Sequence, residues 1–272
     1  MIVRVTVAAA LAVVACGDDA PSRGRQAAVG GGARIVSLSP ALTASIERLG
    51  GGASVVGCTP WCGVAGVPAV GSLEDRDLEA IARLRPTLLV RQSTVDDPGL
   101  FAVLGEVGAH AAAWRLNSVG EVRDAVGELG TMLVAQGIAG ADARAADVIA
   151  RFDAAMAGPR VAADSVVFLY STDPPAAFGR GSYLDDLWRG LGGTNAVAAV
   201  GYPALSAEDI LALRPAAIVV VGTGAIPAWA GTDGRCALSV DAPELLEPGA
   251  GMLETGPSAL RGVAARIAGG CR

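Results

Sequence analysis

The aromatic side chains are the residues of this sequence whose types and positions best suit the binding of a flat ligand. The chain has four Trp, three Tyr and four Phe. Trp61 lies in the loop after the second predicted strand, and Tyr202 lies in a later loop, directly before a proline. Phe178 and Tyr183 flank the loop 179–182, GRGS. Rings on two walls of a cleft can clamp a flat macrocycle. The alternative is that Trp61 and Tyr202 each pack on their own half of the protein.

Two arginines suggest a second kind of binding chemistry. Arg91 directly follows a predicted buried strand, and ligand crevices lie at the carboxyl ends of such strands. Arg180 lies in the glycine-rich loop 179–182. Two guanidinium groups that face a cleft would suit an anionic ferric siderophore or the propionates of haem. The alternative is that both arginines are solvated surface groups.

The sequence offers little for catalysis. His110 is the single histidine, so no metal site of several histidines can form, and any Ser-His-Asp triad would have to use it. It lies in an apolar strand pattern, which predicts a core or edge position. The loop 179–182 lacks the lysine and the spacing of a Walker A string. We therefore expect no enzyme activity, catalytic residue, metal site or cofactor, and a lipoprotein hydrolase that uses His110 is the weaker alternative.

The elements that must position these residues are repeated. Residues 77–90 (DLEAIARLRPTLLV) and residues 206–220 (SAEDILALRPAAIVV) are copies of one another. Each copy has the form cap, helix, Arg-Pro and buried strand. A repeat at so long a spacing indicates two lobes built on one plan rather than a solenoid. Two-lobed α/β proteins commonly hold a ligand in the crevice between the lobes.

Strands alternate with helices in both halves of the chain, which predicts parallel sheets. The predicted N-terminal α/β lobe covers residues 34–118. The predicted C-terminal α/β lobe covers residues 161–272 and ends in a helix at 258–268. Residues 119–160 form a helical connection that begins with a capping box and includes a backbone helix at about 141–156. The expected fold class is α/β, with two Rossmann-like lobes around central sheets, joined by a single long helix, and a ligand cleft between them.

The N-terminal segment indicates export. Arg4 and the apolar run after it are typical of a signal peptide over residues 1–15, and the run is too short to span a bilayer. Residues 13–16 (VVAC) resemble the lipobox of bacterial lipoproteins, which implies that Cys16 is lipidated and begins the mature chain. Residues 16–33 would then form a lipid-anchored flexible tether. The alternative is a buried N-terminal strand with a chance cysteine.

The other cysteines indicate disulfide bonds. Of the five cysteines, four remain beyond Cys16, and an even number in an exported protein is typical of disulfides. Of the three pairings that four cysteines allow, we favour Cys58 with Cys62 and Cys236 with Cys271. Four free buried thiols are the alternative. Zinc is disfavoured because Cys-x3-Cys has no matching second pair.

The charge of the chain argues against nucleic acid as a partner. The net charge is −6, every basic residue other than the single histidine is an arginine, and no basic stripe is present. After the leader, no run of apolar residues is long enough for a membrane-spanning helix.

The segments, in their order, resemble the class III (helical-backbone) substrate-binding proteins of ABC importers, with the vitamin B12-binding protein family as the nearest match. The similarity covers residues 34–272. It rests on four stretches: RIVSLSPALTASIERLG (34–50), GCTPWCGVAGVPAVGSLEDRDLEAIARLRPTLLV (57–90), DPPAAFGRGSYLDDLWRGLGGTNAV (173–197) and YPALSAEDILALRP (202–215). The resemblance implies a monomer that works with an ABC permease and its ATPase.

The resemblance also gives the repeated glutamates a role. In the B12 importer, one surface glutamate on each lobe docks on arginines of the permease, and the aligned residues are Glu79 and Glu208. The alternative depends on the helices alone. Asp77 and Ser206 occupy N-cap positions, and the helix dipole favours an acidic residue in the first turn that follows.

The ligand implied by the resemblance is a cobalamin-like corrinoid, held between Trp61 and Tyr202. Leu73 and Gln92 stand where the B12-binding pattern has tryptophans, so a ferric siderophore or haem is the alternative ligand. A lipoprotein that stores or hands over a tetrapyrrole without an importer is a third interpretation. We therefore expect a lipid-anchored protein, in the periplasm or at the cell surface, that captures a corrinoid and delivers it to an ABC import permease.

Overall fold

Two mainly parallel sheets carry the two halves of the chain. The structure is a computed structural model that describes residues 32–72, 74–92, 98–161 and 165–271. The first half contains the strands β1 (Ile35–Ser37), β2 (Val55–Cys58), β3 (Leu88–Gln92) and β4 (His110–Trp114). They pair in the order β2-β1-β3-β4, and each pairing is parallel. All four strands therefore end at the same edge of the sheet.

The second half of the chain repeats this arrangement, except that one edge strand of its sheet is antiparallel. It contains the strands β5 (Ser165–Thr172), β6 (Pro175–Ala177), β7 (Thr194–Asn195), β8 (Ala217–Val221) and β9 (Cys236–Val240). They pair in the order β6-β5-β8-β9, and β7 also pairs with β5. Only β6 is antiparallel to its neighbour among the described strands. The sequence patterns did not predict the short strands β6 and β7.

Helices cover both sheets. They are α1 (Pro40–Arg48), α2 (Leu78–Arg83), α3 (Pro98–Val107), α4 (Val119–Ala135), α5 (Ala141–Met156), α6 (Tyr183–Leu191), α7 (Ala207–Ala212) and α8 (Ala250–Ala268). Short 3₁₀ helices occur at Gly52–Ser54, Ala228–Gly234 and Pro243–Leu246. In the part of the chain that the structure describes, no helix is both long and apolar enough to cross a membrane.

The connection between the lobes is a pair of packed helices. The predicted capping box opens α4, where Ser118 and Glu121 each accept a backbone hydrogen bond from the other's residue. A Cβ on Gly130 of α4 would lie 2.7 Å from the Cβ of Ala145 on α5, so α4 and α5 are in close contact. At its start, α5 is tied to the first lobe by Arg144, whose Nε donates to the Leu49 carbonyl at 2.8 Å. The predicted backbone helix therefore makes the crossing, with α4 packed along it.

One continuous core joins the two lobes. Its buried residues include Ile35 of β1, Leu129 of α4, Phe152 of α5, Phe168 of β5 and Leu260 of α8. Two smaller apolar clusters involve other residues of the two sheets, one in each lobe. The two-lobed α/β fold is thus confirmed, and the lobes share interior packing through the helices between them.

The last helix begins earlier than the sequence predicted. The predicted closing helix covered residues 258–268. In the structure, α8 runs from Ala250 through Pro257. A proline inside a helix costs about 3 kcal/mol. Met252 and Leu253 are fully buried in the first turn of α8, and burial of this apolar face outweighs the local cost.

The repeated segments end their helices in the same unusual way. Asp77 caps α2 and Ser206 caps α7 through side-chain hydrogen bonds to backbone amides. After each helix, the arginine before the proline has a positive φ, 44° at Arg85 and 49° at Arg214. This left-handed conformation turns the chain from the helix into β3 or β8, and it is costly for any residue other than glycine.

The arginine conformation leads to a stability prediction. Arg214→Gly should leave the free energy of unfolding unchanged or raise it by up to about 1.5 kcal/mol. It removes a left-handed cost of about 1–2 kcal/mol and adds about 0.5–1 kcal/mol of backbone entropy. Ala212→Gly, at the exposed last residue of α7, should instead cost up to about 1 kcal/mol. Urea denaturation measures both variants, and equal destabilisation by the two would contradict this interpretation.

Candidate functional site

A cavity of about 410 Å³ lies where the carboxyl ends of the two sheets meet. Its lining residues are Gln92, Tyr170, Phe178, Tyr183, Tyr202, Leu246 and Pro248. Gln92 is the last residue of β3 in the first lobe, whereas the others belong to the second lobe. The cavity therefore lies between the lobes, at the strand ends where open α/β sheets bind ligands.

Four aromatic rings form the second-lobe wall of this cavity, and they include every tyrosine of the chain. The ring of Phe178 has its centroid 5.3 Å from Tyr170, 5.5 Å from Tyr183 and 5.9 Å from Tyr202. These three contacts are edge-to-face, the arrangement that aromatic quadrupoles favour. Phe178 and Tyr183 are buried, whereas 37% of Tyr170 and 44% of Tyr202 remain exposed. Tyr170 and Tyr202 therefore offer ring surface to a ligand.

Backbone hydrogen bonds hold the loop that carries Tyr202 against the end of β6. Gly179 donates to the Gly201 carbonyl at 2.8 Å, and Ala177 donates to the Pro203 carbonyl at 3.0 Å. A Cβ on Gly179 would collide with the Ala199 carbonyl, so this close approach requires glycine. The predicted site residues Phe178, Tyr183 and Tyr202 are brought together by this pairing.

The tyrosine hydroxyls give the aromatic wall polar edges, and they carry no charge. Tyr183 donates to the Leu245 carbonyl at 2.9 Å, and Tyr170 donates to the Tyr202 carbonyl at 3.2 Å. Burial, and to a lesser extent Tyr202 and Glu247, raises the pKa of Tyr183 well above its ordinary value. Burial and the neighbouring Tyr170 raise the pKa of Tyr202 to about 12. Tyr183 and Tyr202 therefore stay protonated at physiological pH.

Trp61, the predicted first-lobe ring, lies on an open loop. Its side chain is 68% exposed, and it does not belong to the lining of the aromatic cavity. The structure pairs the flanking Cys58 and Cys62 in a disulfide. Trp61 follows the carboxyl end of β2, so it leaves the sheet at the same edge as Gln92. Its role as a ligand contact stays a prediction.

The two predicted arginines lie outside the aromatic cavity. Arg91 is only 6% exposed, and its guanidinium lies 5.9 Å from the ring centroid of Phe101 on α3. Arg180 is exposed and lines a separate cavity of about 260 Å³ on the second lobe, together with Asp185 and Arg189. Neither arginine lines the aromatic cavity, so neither is placed to contact a ligand there directly.

Four of the lining residues were not predicted as site residues. Gln92 and Tyr170 lie at or near the carboxyl ends of β3 and β5, and the rule that singled out Arg91 could have found both. Side chains alternate between the two faces of a strand, so the cavity receives Gln92 and not its neighbour Arg91. Leu246 and Pro248 come from the segment before α8, where no sequence pattern marks a site.

The two repeated glutamates occupy equivalent, exposed positions. Glu79 is the second residue of α2, and Glu208 is the second residue of α7. Both side chains are exposed, and Glu79 forms an ion pair with Arg83 at 2.6 Å. The capping interactions are made by Asp77, Ser206 and Asp209 rather than by the glutamates. Both glutamates lie in the first turn of their helices, where the helix dipole favours an acidic residue, so the dipole explanation applies at both sites.

The remaining predicted residues lie away from the cavity or outside the described chain. Cys236 and Cys271 form a second disulfide. Cys16, the signal peptide 1–15 and all but the last two residues of the tether 16–33 lie outside the described residues. Within the described ranges, no group of three or more His, Cys, Asp or Glu side chains could hold a metal ion. His110 is exposed on the edge strand β4.

Two α/β lobes with an aromatic cavity between them define a ligand-binding protein. The chain belongs to the periplasmic binding protein family, whose sequence pattern matches residues 35–234. The expected class, a class III substrate-binding protein of an ABC importer, is confirmed. The comparison with curated proteins gave no match.

Solved structures of this class resemble the protein closely in fold. The periplasmic heme-binding protein RhuT from Roseiflexus sp. RS-1 is 25% identical, with a TM-score of 0.68 over 89% of this chain and 100% of RhuT. The vitamin B12-binding protein BtuF of Vibrio cholerae is 18% identical, with a TM-score of 0.65 over 87% of this chain and 97% of BtuF. IsdE of S. aureus, complexed with heme, is 18% identical, with a TM-score of 0.58 over 87% of this chain and 99% of IsdE. These likenesses confirm the α/β fold.

Proposed function

We propose that this protein captures a corrinoid in the cleft between its lobes and delivers it to an ABC import permease. The observation that carries the proposal is the neutral aromatic cavity between the carboxyl ends of the sheets. Tyr170, Phe178, Tyr183 and Tyr202 supply one wall, and Gln92 reaches the cavity from the other lobe. A planar macrocycle has a large apolar face, which packs well on such a wall.

The polarity of the lining favours a corrinoid over an anionic chelate. Corrinoids carry amide side chains. The Gln92 amide can donate to them and accept from them, and the hydroxyls of Tyr170 and Tyr183, whose protons are donated to backbone carbonyls, can accept from them. None of the seven lining residues is a Lys, Arg or His. Haem propionates and siderophore carboxylates would have to be buried against this lining without a cationic partner, which is costly.

Haem is the second candidate, and Tyr202 is the observation that favours it. Tyrosine is one of the side chains that ligate haem iron, and the Tyr202 ring lines the cavity while remaining 44% exposed. RhuT is described as a heme-binding protein, and IsdE is complexed with heme. Iron would have to displace the proton of the Tyr202 phenol, whose pKa is raised to about 12.

The aromatic wall leads to a prediction about affinity. Tyr202→Ala should weaken cyanocobalamin binding about ten- to a hundredfold, because a ring face of roughly 100 Å² is worth about 2.5 kcal/mol. Tyr202→Phe keeps the ring and should bind nearly as well as the wild type. Phe101→Ala removes a ring that is 46% exposed and lies outside the cavity, so it should have no effect. Absorbance titrations measure all four proteins.

The same titrations separate the candidate ligands. Cyanocobalamin, haemin and a ferric siderophore are each added to the wild type. Tight binding of haemin without cyanocobalamin would contradict the corrinoid and support haem. Tight binding of the siderophore alone, lost in Arg91→Ala or Arg180→Ala, would support the anionic chelate.

Docking on the permease is proposed for Glu79 and Glu208. Reversal of both charges to Lys should abolish ligand uptake by cells and leave the affinity for the ligand unchanged, because neither residue lines the cavity. Asp124 and Asp142, exposed on α4 and α5, give a control with the same change in net charge. Full uptake by the Glu79/Glu208 double variant would contradict the docking role.

Membrane attachment is proposed through Cys16. The lipobox-like residues 13–16 support it, and several acyl chains would anchor the protein more firmly than one. Cys16→Ser should move the protein from the membrane fraction to the soluble fraction. Mass spectrometry of the wild-type N-terminus checks the modification directly, and an unmodified mature chain that begins elsewhere would contradict it.

The hydrolase and the storage protein are the remaining alternatives. Neither the family nor the similar structures point to an enzyme. In the described part of the chain, His110 has no side-chain hydrogen bond or ion pair that would orient it as a base. Turnover of ester substrates that is lost on His110→Ala would support the hydrolase. Ligand binding without importer-dependent uptake would support storage.

A further inference from the structure

The loop that carries Trp61 is attached to the sheet through one residue, Cys58. The Cys58 amide donates to the Pro68 carbonyl at 3.2 Å and so holds the far end of the loop. The Cys58 carbonyl in turn accepts from the Val70 amide at 2.9 Å. The Cys58 sulfur is bonded to Cys62 within the loop. Both ends of the loop and its disulfide therefore converge on the last residue of β2.

Packing restrains the residues around Trp61, because Thr59 is buried and Cys62, Val64 and Val67 pack against the core, but the Trp61 side chain itself is open. The ring is 68% exposed, and one backbone turn, from the Cys62 amide to the Thr59 carbonyl at 3.2 Å, spans it. Gly63 and Gly66 follow with φ of 69° and 77°, and a Cβ at either position would meet no atom within 4 Å. Glycines in open surroundings add conformational freedom, so the disulfide is the main covalent restraint on the loop.

The strand register places this loop at the edge of the cleft. Ser37 of β1 pairs with both Cys58 of β2 and Val90 of β3, so the three residues form one row across the sheet. Gln92, two residues beyond Val90, lines the aromatic cavity. Neighbouring strands lie about 4.8 Å apart, which places the start of the Trp61 loop roughly 10 Å across the sheet from β3, at the same edge.

We propose that the Cys58–Cys62 disulfide positions Trp61 as the first-lobe wall of the ligand site. This inference rests on the proposed ligand-binding function. The disulfide touches no ligand itself; it restricts the five-residue ring from Cys58 to Cys62 so that the indole stays beside the cleft. If a ligand needs the indole in one orientation, its apparent affinity is proportional to the fraction of protein molecules in which the indole already has that orientation.

The proposal predicts that removing the disulfide acts through Trp61 alone. Cys62→Ala leaves the buried Cys58 in place and should weaken binding of cyanocobalamin, or of haemin if that is the ligand, about tenfold if Trp61 is then correctly placed one tenth of the time. Trp61→Ala should weaken it about ten- to a hundredfold. The double variant should match Trp61→Ala within about twofold, because interaction through a shared residue makes the effects non-additive.

Two further measurements complete the test. Cys271→Ser opens the other disulfide and should not change the affinity. Hydrogen exchange of residues 59–69, measured without ligand, should be faster in Cys62→Ala and unchanged in Cys271→Ser. Unchanged exchange in Cys62→Ala would overturn the proposal. So would additive losses in the double variant, or an unchanged affinity for a ligand whose binding Trp61→Ala weakens. If the wild type binds none of the candidate ligands, the proposed function itself is contradicted. This result is distinct from the three results that overturn only the role of the disulfide.

Discussion

The contact between α1 and the start of α8 is the constraint on which the cleft depends. The Ala250 amide donates to the Ser45 hydroxyl at 3.0 Å in a buried position. A Cβ on Gly249 would lie 2.8 Å from the Ala41 carbonyl oxygen, so the chain can approach α1 this closely only because residue 249 is a glycine. This contact is a second tie between the lobes besides the crossing helix α5. Opening of the cleft would have to break it.

Charged groups reinforce the tie from the solvent side. Arg48, at the end of α1, reaches Glu244 at 3.3 Å and Glu254 at 3.2 Å, both in the second lobe. These groups are about one third exposed or less, so their contribution is modest compared with the buried contact. Glu247 belongs to the same segment, and its pKa is raised mainly by burial, with Glu244 adding to the effect and Arg48 opposing it. The segment before α8 thus serves both the contact between lobes and the cavity, through Leu246 and Pro248.

Much of the fold was predictable because it depends on local patterns. The repeated cap, helix, Arg-Pro and strand predicted both lobes, and Phe178, Tyr183 and Tyr202 were selected because rings are scarce in this chain. What the sequence patterns did not predict depended on tertiary packing. Pro257 lies inside α8 because buried residues on either side of it stabilise the helix. Arg91 and Gln92 differ by one residue and so project from opposite faces of β3; the pattern of the strand alone does not tell which face meets the second lobe.

The direct test of the account is a crystal structure of the protein with cyanocobalamin bound. The account predicts that the corrin ring lies between the lobes, with Tyr170 and Tyr202 against one face and the Gln92 side chain at its edge, and that the lobes keep their separation from the unliganded protein. A corrin bound on the outer surface of one lobe, or a cleft that opens at the contact between α1 and α8 to admit the ligand, would contradict it.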